Sequence, residues 1–302
     1  MSEQVIRTLL YFDLFSYPLN AGEIYNFLSV GVNSQADVKR CLADLTQRKL
    51  VFRFGDLYSL QPEDKNIIRR IKGNDEAVKW LKIAQDRAQL IAKFPFVRAV
   101  MASGSLSKGY MDENSDLDFF IVTTPNRLWV ARTLLVLYKR IFLLNSHKKF
   151  CVNYFIDTRN LEIEEKNLFT ATELITLIPL HNQKCYRALM DSNDWVRHFF
   201  PNFKAKYSDD PKKAGSSRRN IFEFMLNPVS DSLDRFFMRM TLSRWNKLYR
   251  QKFDKRDFDI AFKTRRHVSK NHPNHYQKKI LEQYQKKIVE YKTSFGRLEN
   301  HA

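Results

Sequence analysis

Apolar positions in the first sixty residues recur at helical spacing three times and then alternate. Val5, Leu9, Leu10, Phe12 and Phe15 mark one face of a first helix that Tyr17-Pro18 stops. Asn20 with Glu23 three residues on is a capped helix start, opening a second helix through Phe27 and Leu28. Ser34 begins a third, with Val38, Leu42 and Leu45 on one side. Val51-Phe52-Arg53-Phe54 and Leu57-Tyr58-Ser59-Leu60 then flank Gly55-Asp56, which signals a hairpin.

Residues 62–94 carry Ile67, Ile68, Ile71, Ala77, Trp80, Leu81, Ala84, Ala88 and Ile91 at helical spacing, and Gly73-Asn74-Asp75 predicts a break into two helices. An apolar strand over 96–102 runs into Gly104-Ser105, and a second strand opens at Asp116 and continues to Val122. Helical periodicity over 127–144 and a strand over 150–157 complete a β-α-β unit with its acidic ends together. Helices are predicted over 167–178, 184–190 and 195–200, ahead of Pro201. The run 208–219 holds no large apolar residue and reads as an exposed linker. Beyond it Phe222, Phe224, Leu233, Phe237, Trp245 and Tyr249 predict a folded helical region rather than a basic tail. The expected fold class is α+β, a mixed-sheet domain over 95–206 between a small N-terminal domain (1–61), a helical connector (62–94) and a basic helical domain (207–302).

At 302 residues with 44% hydrophobic content, the chain can bury two or three cores. Cys41, Cys151 and Cys185 have no paired spacing, which excludes a disulfide framework and a zinc pattern. The start Met1-Ser2-Glu3-Gln4 lacks a signal-peptide layout, and no apolar run nears the roughly 18 residues of a membrane span. A cytoplasmic protein without membrane contact is expected, and nothing in the pattern sets its oligomeric state. The net charge of +18 is uneven, with Lys and Arg outnumbering Asp and Glu by 24 to 11 over 201–302 but only 12 to 11 over 101–200. Such a surface concentrates polyanions, whether nucleic acid or a nucleoside triphosphate.

The candidate chemistry lies where the first strand meets Gly104-Ser105 and the second begins Asp116-Leu117-Asp118. Side chains at i and i+2 of a strand share a face, so both carboxylates should point beside the turn. Hard cations such as Mg2+ take carboxylate oxygens and keep positions open for phosphate. Gly104 lets backbone approach a phosphate, while Ser105 adds a hydroxyl and the turn amides can hold anionic oxygens.

The run Gly-Ser-x-x-x-Gly followed by Ser-Asp-x-Asp resembles the nucleotidyltransferase superfamily of polymerase-beta type, in its minimal branch. The resemblance implies Gly104 and Ser105 on the triphosphate, Asp116 and Asp118 on Mg2+ or Mn2+, and an NTP substrate, with ATP expected. Lys108 stands where that branch usually has Arg, keeping the cation but losing the bidentate fork. A third acid is expected on the strand over 150–157, where the central slot holds Asn153 and Asp157 lies four residues on. Asp157 is the predicted third catalytic carboxylate, with Asn153 as a nucleotide-orienting alternative that cannot take a proton. The first sixty residues look like a winged helix, in which Lys39, Arg40, Arg48 and Lys49 would face phosphates.

The implied reaction moves an NMP from an NTP to an acceptor hydroxyl or phosphate, borne by nucleic acid, protein or a small molecule. The alternative is a catalytically weakened regulatory or nucleic-acid-binding protein on the same fold. The polar run Lys263–His272 could clamp phosphates. His267, His272 and His275 lack an acidic or cysteine partner and read as phosphate or substrate hydrogen-bonders rather than metal ligands.

Overall fold

The structure, a computed structural model, describes residues 1–144, 148, 150–205, 207, 217–271 and 276–299. At the N-terminus, α1 (Ser2–Asp13) is followed by β1 (Leu19–Asn20), α2 (Ala21–Phe27), α3 (Gln35–Gln47), β2 (Phe52–Phe54) and β3 (Leu57–Ser59). Both predicted caps form: Asn20 with Glu23 and Ser34 with Asp37 each make a reciprocal capping box. Gly55 sits at φ +60, the left-handed conformation that the β2–β3 turn needs. β1 adds to the hairpin in the order β1-β3-β2, so the expected two strands become three. Leu19, Ile24, Val38, Leu42 and Leu45 close the core beneath.

One continuous helix, α4 (Lys65–Ala92), replaces the two predicted on either side of Gly73. Glycine is there for space, not for a break. A Cβ on Gly73 would lie 2.1 Å from Cε2 of Tyr110, whose ring rests on the helix at that point. The chain continues through β4 (Val97–Ser103), α5 (Gly104–Ser107), β5 (Asp118–Thr123), α6 (Leu128–Phe142), β6 (Cys151–Asp157), α7 (Leu168–Thr176), β7 (Ile178–His181) and α8 (Gln183–Ser192). α9 (Ser217–Tyr249), α10 (Lys255–Ala261), β8 (Thr264–Arg265), β9 (Val268–Lys270) and α11 (Tyr276–Glu299) follow. The central sheet runs β7-β4-β5-β6-β9-β8. β5 and β6 are parallel because α6 crosses between them, and the other pairs are antiparallel, giving the expected mixed sheet. β7 was not foreseen; its Pro179 is tolerated because the strand lies at the sheet edge.

Alternation along the strands divides two cores. Val100, Ala102, Phe119 and Ile121 face α4, α6 and α9, whereas Ala99, Met101, Phe120 and Val122 face α7 and α8. On β6 the phase slips: Val152 and Phe155, three residues apart, face the same core. The cause is a bulge, with Phe119 opposite Val152 but Phe120 opposite Tyr154, leaving Asn153 as the extra residue.

The last third is not an independent helical domain. The polar run expected to be a clamp or a loop instead supplies β8 and β9, which extend the central sheet. α11 crosses to the N-terminal unit, placing Ile280, Tyr284 and Ile288 in the core of α1, with Tyr284 edge-on to Tyr11 at 5.4 Å. His272, His275 and the linker residues 208–216 lie outside the described residues.

α6 has no side-chain cap of its own at Arg127. Asp234 of α9 supplies it, accepting from Trp129 N at 2.8 Å and Val130 N at 3.4 Å while fully buried. Burial pushes the Asp234 carboxyl up, against those two amides and Arg266, whose Nε lies 3.5 Å away. Asp234→Ala is expected to cost about 1–3 kcal/mol, since it strands buried amides. Urea denaturation followed by circular dichroism would measure it, and an unchanged midpoint would contradict the capping role.

Candidate active site

β4 and β5 pair with Ser103 opposite Asp118, so the chain leaving β4 turns directly over the start of β5. Gly104 makes that turn at φ +64, and a Cβ there would lie 2.4 Å from Asp118 Oδ2. Backbone is therefore pressed onto the carboxylate as only glycine allows. α5 begins at this residue, with Ser105 in its first turn; Ser107 Oγ donates to the Gly104 carbonyl at 2.8 Å. Lys108 Nζ donates to the same carbonyl at 3.1 Å and pairs with Glu173 Oε1 at 2.7 Å. Tyr17 of the N-terminal unit donates to the Lys108 carbonyl at 2.6 Å, so that unit braces the turn from behind.

Strand β5 starts at Asp118, leaving Asp116 in the segment just before it. The two acids still share a side. Leu117 between them is fully buried in the α4–α6 core, and its amide and carbonyl are held by Lys148 O and Cys151 N. Asp116 is exposed and Asp118 half-buried. The Asp118 carboxyl is pushed up to about 6 by burial foremost, opposed by the Cys151 thiol; the negative charges of Asp116 and Glu173 raise it further and Lys108 opposes them. The Cys151 thiol is itself pushed up by burial and by the neighbouring Asp118. Asn153 Nδ2 donates to Asp118 Oδ1 at 2.9 Å, because the β6 bulge turns it toward the site.

These residues fit the divalent cation that the motif implies. Among the described residues no group of three or more His, Cys, Asp or Glu encloses a metal. Two adjacent carboxylates beside a glycine turn suit a cation that takes its remaining ligands from phosphate oxygens and water. The raised Asp118 gives a check. Its contribution to stability is present in acid and lost as pH rises through about 6, and a bound cation offsets that loss above it. Mg2+ is expected to raise the unfolding midpoint by several degrees at pH 7.5 and hardly at pH 5. Calorimetry at the two pH values tests this, and equal shifts would place the ion elsewhere.

Asp157, expected as the third catalytic acid, is not brought to the site. It pairs with Thr123 at the far end of β5, roughly 16 Å along the strand from Asp118. Its buried carboxylate accepts from the amides of Arg159 and Asn160 and from Asn160 Nδ2, closing the turn after β6. His267 lies 4.0 Å from Glu164, away from the turn. Glu173 was missed. It comes from α7, a helix that gave no motif, and its pairing with Lys108 and its charge acting on Asp118 mark it.

Residues 83–176 match the family model described as a nucleotidyltransferase domain, a span that contains Gly104, Ser105, Lys108, Asp116, Asp118, Asn153 and Glu173. No curated protein and no solved structure matches the chain. The chain carries a nucleotidyltransferase domain within a mixed α+β fold.

Proposed function

We propose that the chain transfers a nucleoside monophosphate from an NTP, with ATP the expected donor, to an acceptor oxygen. The turn at Gly104 and Ser105 offers backbone amides and a hydroxyl to the triphosphate. Asp116 and Asp118 would hold Mg2+, which when bound supplies charge neutralisation of the phosphates. Asn153 orients Asp118, and Lys108 brings positive charge to the turn while anchored by Glu173. In the step, the acceptor oxygen bonds to the α-phosphorus, the α–β bridging P–O bond breaks and pyrophosphate leaves. The acceptor proton passes to Glu173, the carboxylate that stands beside Lys108 now that Asn153 occupies the expected acid slot. The observation that supports this assignment is the close contact of the Gly104 turn with Asp118, which brings the turn backbone against the carboxylate with no space for a side chain. Incubation with α-labelled ATP, Mg2+ and cell extract should label an acceptor and release pyrophosphate. Absence of both with all four NTPs would reject transfer.

Asn153 also favours a second reading, a regulatory nucleotide binder that has lost turnover. Here the winged-helix-like N-terminal unit, with exposed Lys39, Arg40, Arg48 and Lys49, would engage nucleic acid. Arg40 and Arg48 pair with Asp37 and Asp44, exposed contacts weak enough to exchange for phosphate. Duplex binding that falls steeply between about 50 and 200 mM salt, with no label transfer, would support this alternative.

A further inference from the structure

A cavity of about 460 Å³ opens beside the candidate active site, between β4–β6 and the helices α7, α10 and α11. Its size is that of a small-molecule site. Ser103, Asn153 and Glu173 form one wall, and each belongs to the site already described: Ser103 faces Asp118, Asn153 binds it, and Glu173 holds Lys108. The remaining lining is mainly apolar and includes Phe120, Tyr154, Phe169, Leu174, Leu177 and Ile260.

One charge is set into this apolar wall. Lys270 of β9 stands in register with Tyr154 and is 7% exposed. Its Nζ lies 5.8 Å from the Tyr154 ring centroid and donates to Gln277 Oε1 at 3.1 Å. Among the described residues it forms no ion pair. Burial pulls the ammonium below the usual lysine range, with Glu165 and then Glu173 acting in the opposite direction from farther off. A buried ammonium with a single amide acceptor is costly unless a counter-charge arrives. The mouth does not suit a polyanionic strand: Asp254, Asp257 and Glu282 line it beside Arg256 and Lys278, and Lys278 is already paired with Asp257 at 2.7 Å.

We propose that this cavity is the acceptor site and takes a small molecule with an apolar, ring-sized body and one anionic group, a carboxylate or a phosphate, that pairs with Lys270. Its role as acceptor site rests on the nucleotidyl-transfer reading; its ligand chemistry does not. The apolar body fills the space against Phe120, Phe169 and Leu177, and the reacting oxygen reaches the wall formed by Asn153 and Glu173.

Binding of naphthalene-2-carboxylate, 2-naphthyl phosphate and the neutral naphthalene-2-carboxamide, measured calorimetrically without nucleotide, separates the parts. At least one anion is expected to bind about tenfold or more tighter than the amide, the better one naming the anionic group. Lys270→Met should abolish that preference while leaving amide binding, and Lys270→Arg should restore it. Equal binding of all three probes by the native chain, or a preference that survives Lys270→Met, overturns the ligand chemistry. Leu177→Trp, which fills the cavity, should block labelling of acceptor in extract while Mg2+-ATP still raises the unfolding midpoint. Undiminished labelling in that variant overturns the acceptor site. If Mg2+-ATP raises no midpoint even in the native chain, the nucleotidyl-transfer reading fails instead, and with it the acceptor role, while the probe measurements still decide the ligand chemistry.

Discussion

Asp116→Ala combined with Asp118→Ala is expected to abolish transfer of label from α-labelled NTP, a loss of about a thousandfold or more, with the fold intact. The size follows from removing both carboxylates able to hold a cation against the triphosphate, an interaction worth several kcal/mol in the transition state. The intact fold follows from the state of the carboxylates without a ligand. Asp118 is half-buried beside Asp116 and Glu173, and its carboxyl is pushed up to about 6. A charge held in that setting destabilises the unliganded protein at neutral pH by something on the order of 2 kcal/mol. Asp118→Asn, which removes the charge but keeps the shape, should therefore unfold at an equal or higher temperature than the native chain at pH 7.5 in chelator. The difference should shrink as pH falls from about 6 and vanish only below the ordinary carboxyl value of 3.8. Calorimetry and label transfer on the same preparations separate the two effects, and turnover near the native rate in the double variant would remove these acids from the mechanism.

What could be foreseen from sequence was local. Asn20 with Glu23 and Ser34 with Asp37 cap their helices because both partners lie within one turn. Gly104, Asp116 and Asp118 come together because one antiparallel pairing, Ser103 opposite Asp118, joins them. What escaped depends on contacts between distant segments. Gly73 resembles a helix break until Tyr110 is seen against it. Asn153 is aimed by a bulge whose register is set across β5, and because β6 starts with Cys151 opposite Asp118, Asp157 falls at the opposite end of the strand. Glu173 and Lys270 lie 57 and 154 residues along the chain from Asp116, on elements without any motif, so spacing offers no way to join them. β8 and β9 were hidden for a different reason. Six charged or polar residues over Thr264–Lys270 resemble a surface loop, and only sheet pairing with β6 makes Val268 and Ser269 core residues.

Gly104→Ala should be nearly as damaging to function as loss of the acids, and it should damage stability as well. Two penalties combine. Alanine in the left-handed region at φ +64 costs about 1–2 kcal/mol on backbone grounds alone. Its Cβ would then lie 2.4 Å from Asp118 Oδ2 and 3.2 Å from Cγ, so either the turn or the carboxylate must move. Asp118 is not free to yield, because Asn153 holds its other oxygen and β5–β4 pairing holds its backbone. A shift of about 1 Å at such a centre is enough to lower turnover about a hundredfold. The clash makes a coupling that can be measured. In a double-mutant cycle with Asp118→Ala, the colliding oxygens are gone and the nearest remaining atom is the residue-118 Cβ at 3.3 Å. The destabilisation by Gly104→Ala should then shrink to the backbone penalty, giving an interaction energy of about 1 kcal/mol or more. Strictly additive stabilities would mean that the turn and the carboxylate do not touch, and the close approach of the turn backbone to Asp118 would lose its structural basis.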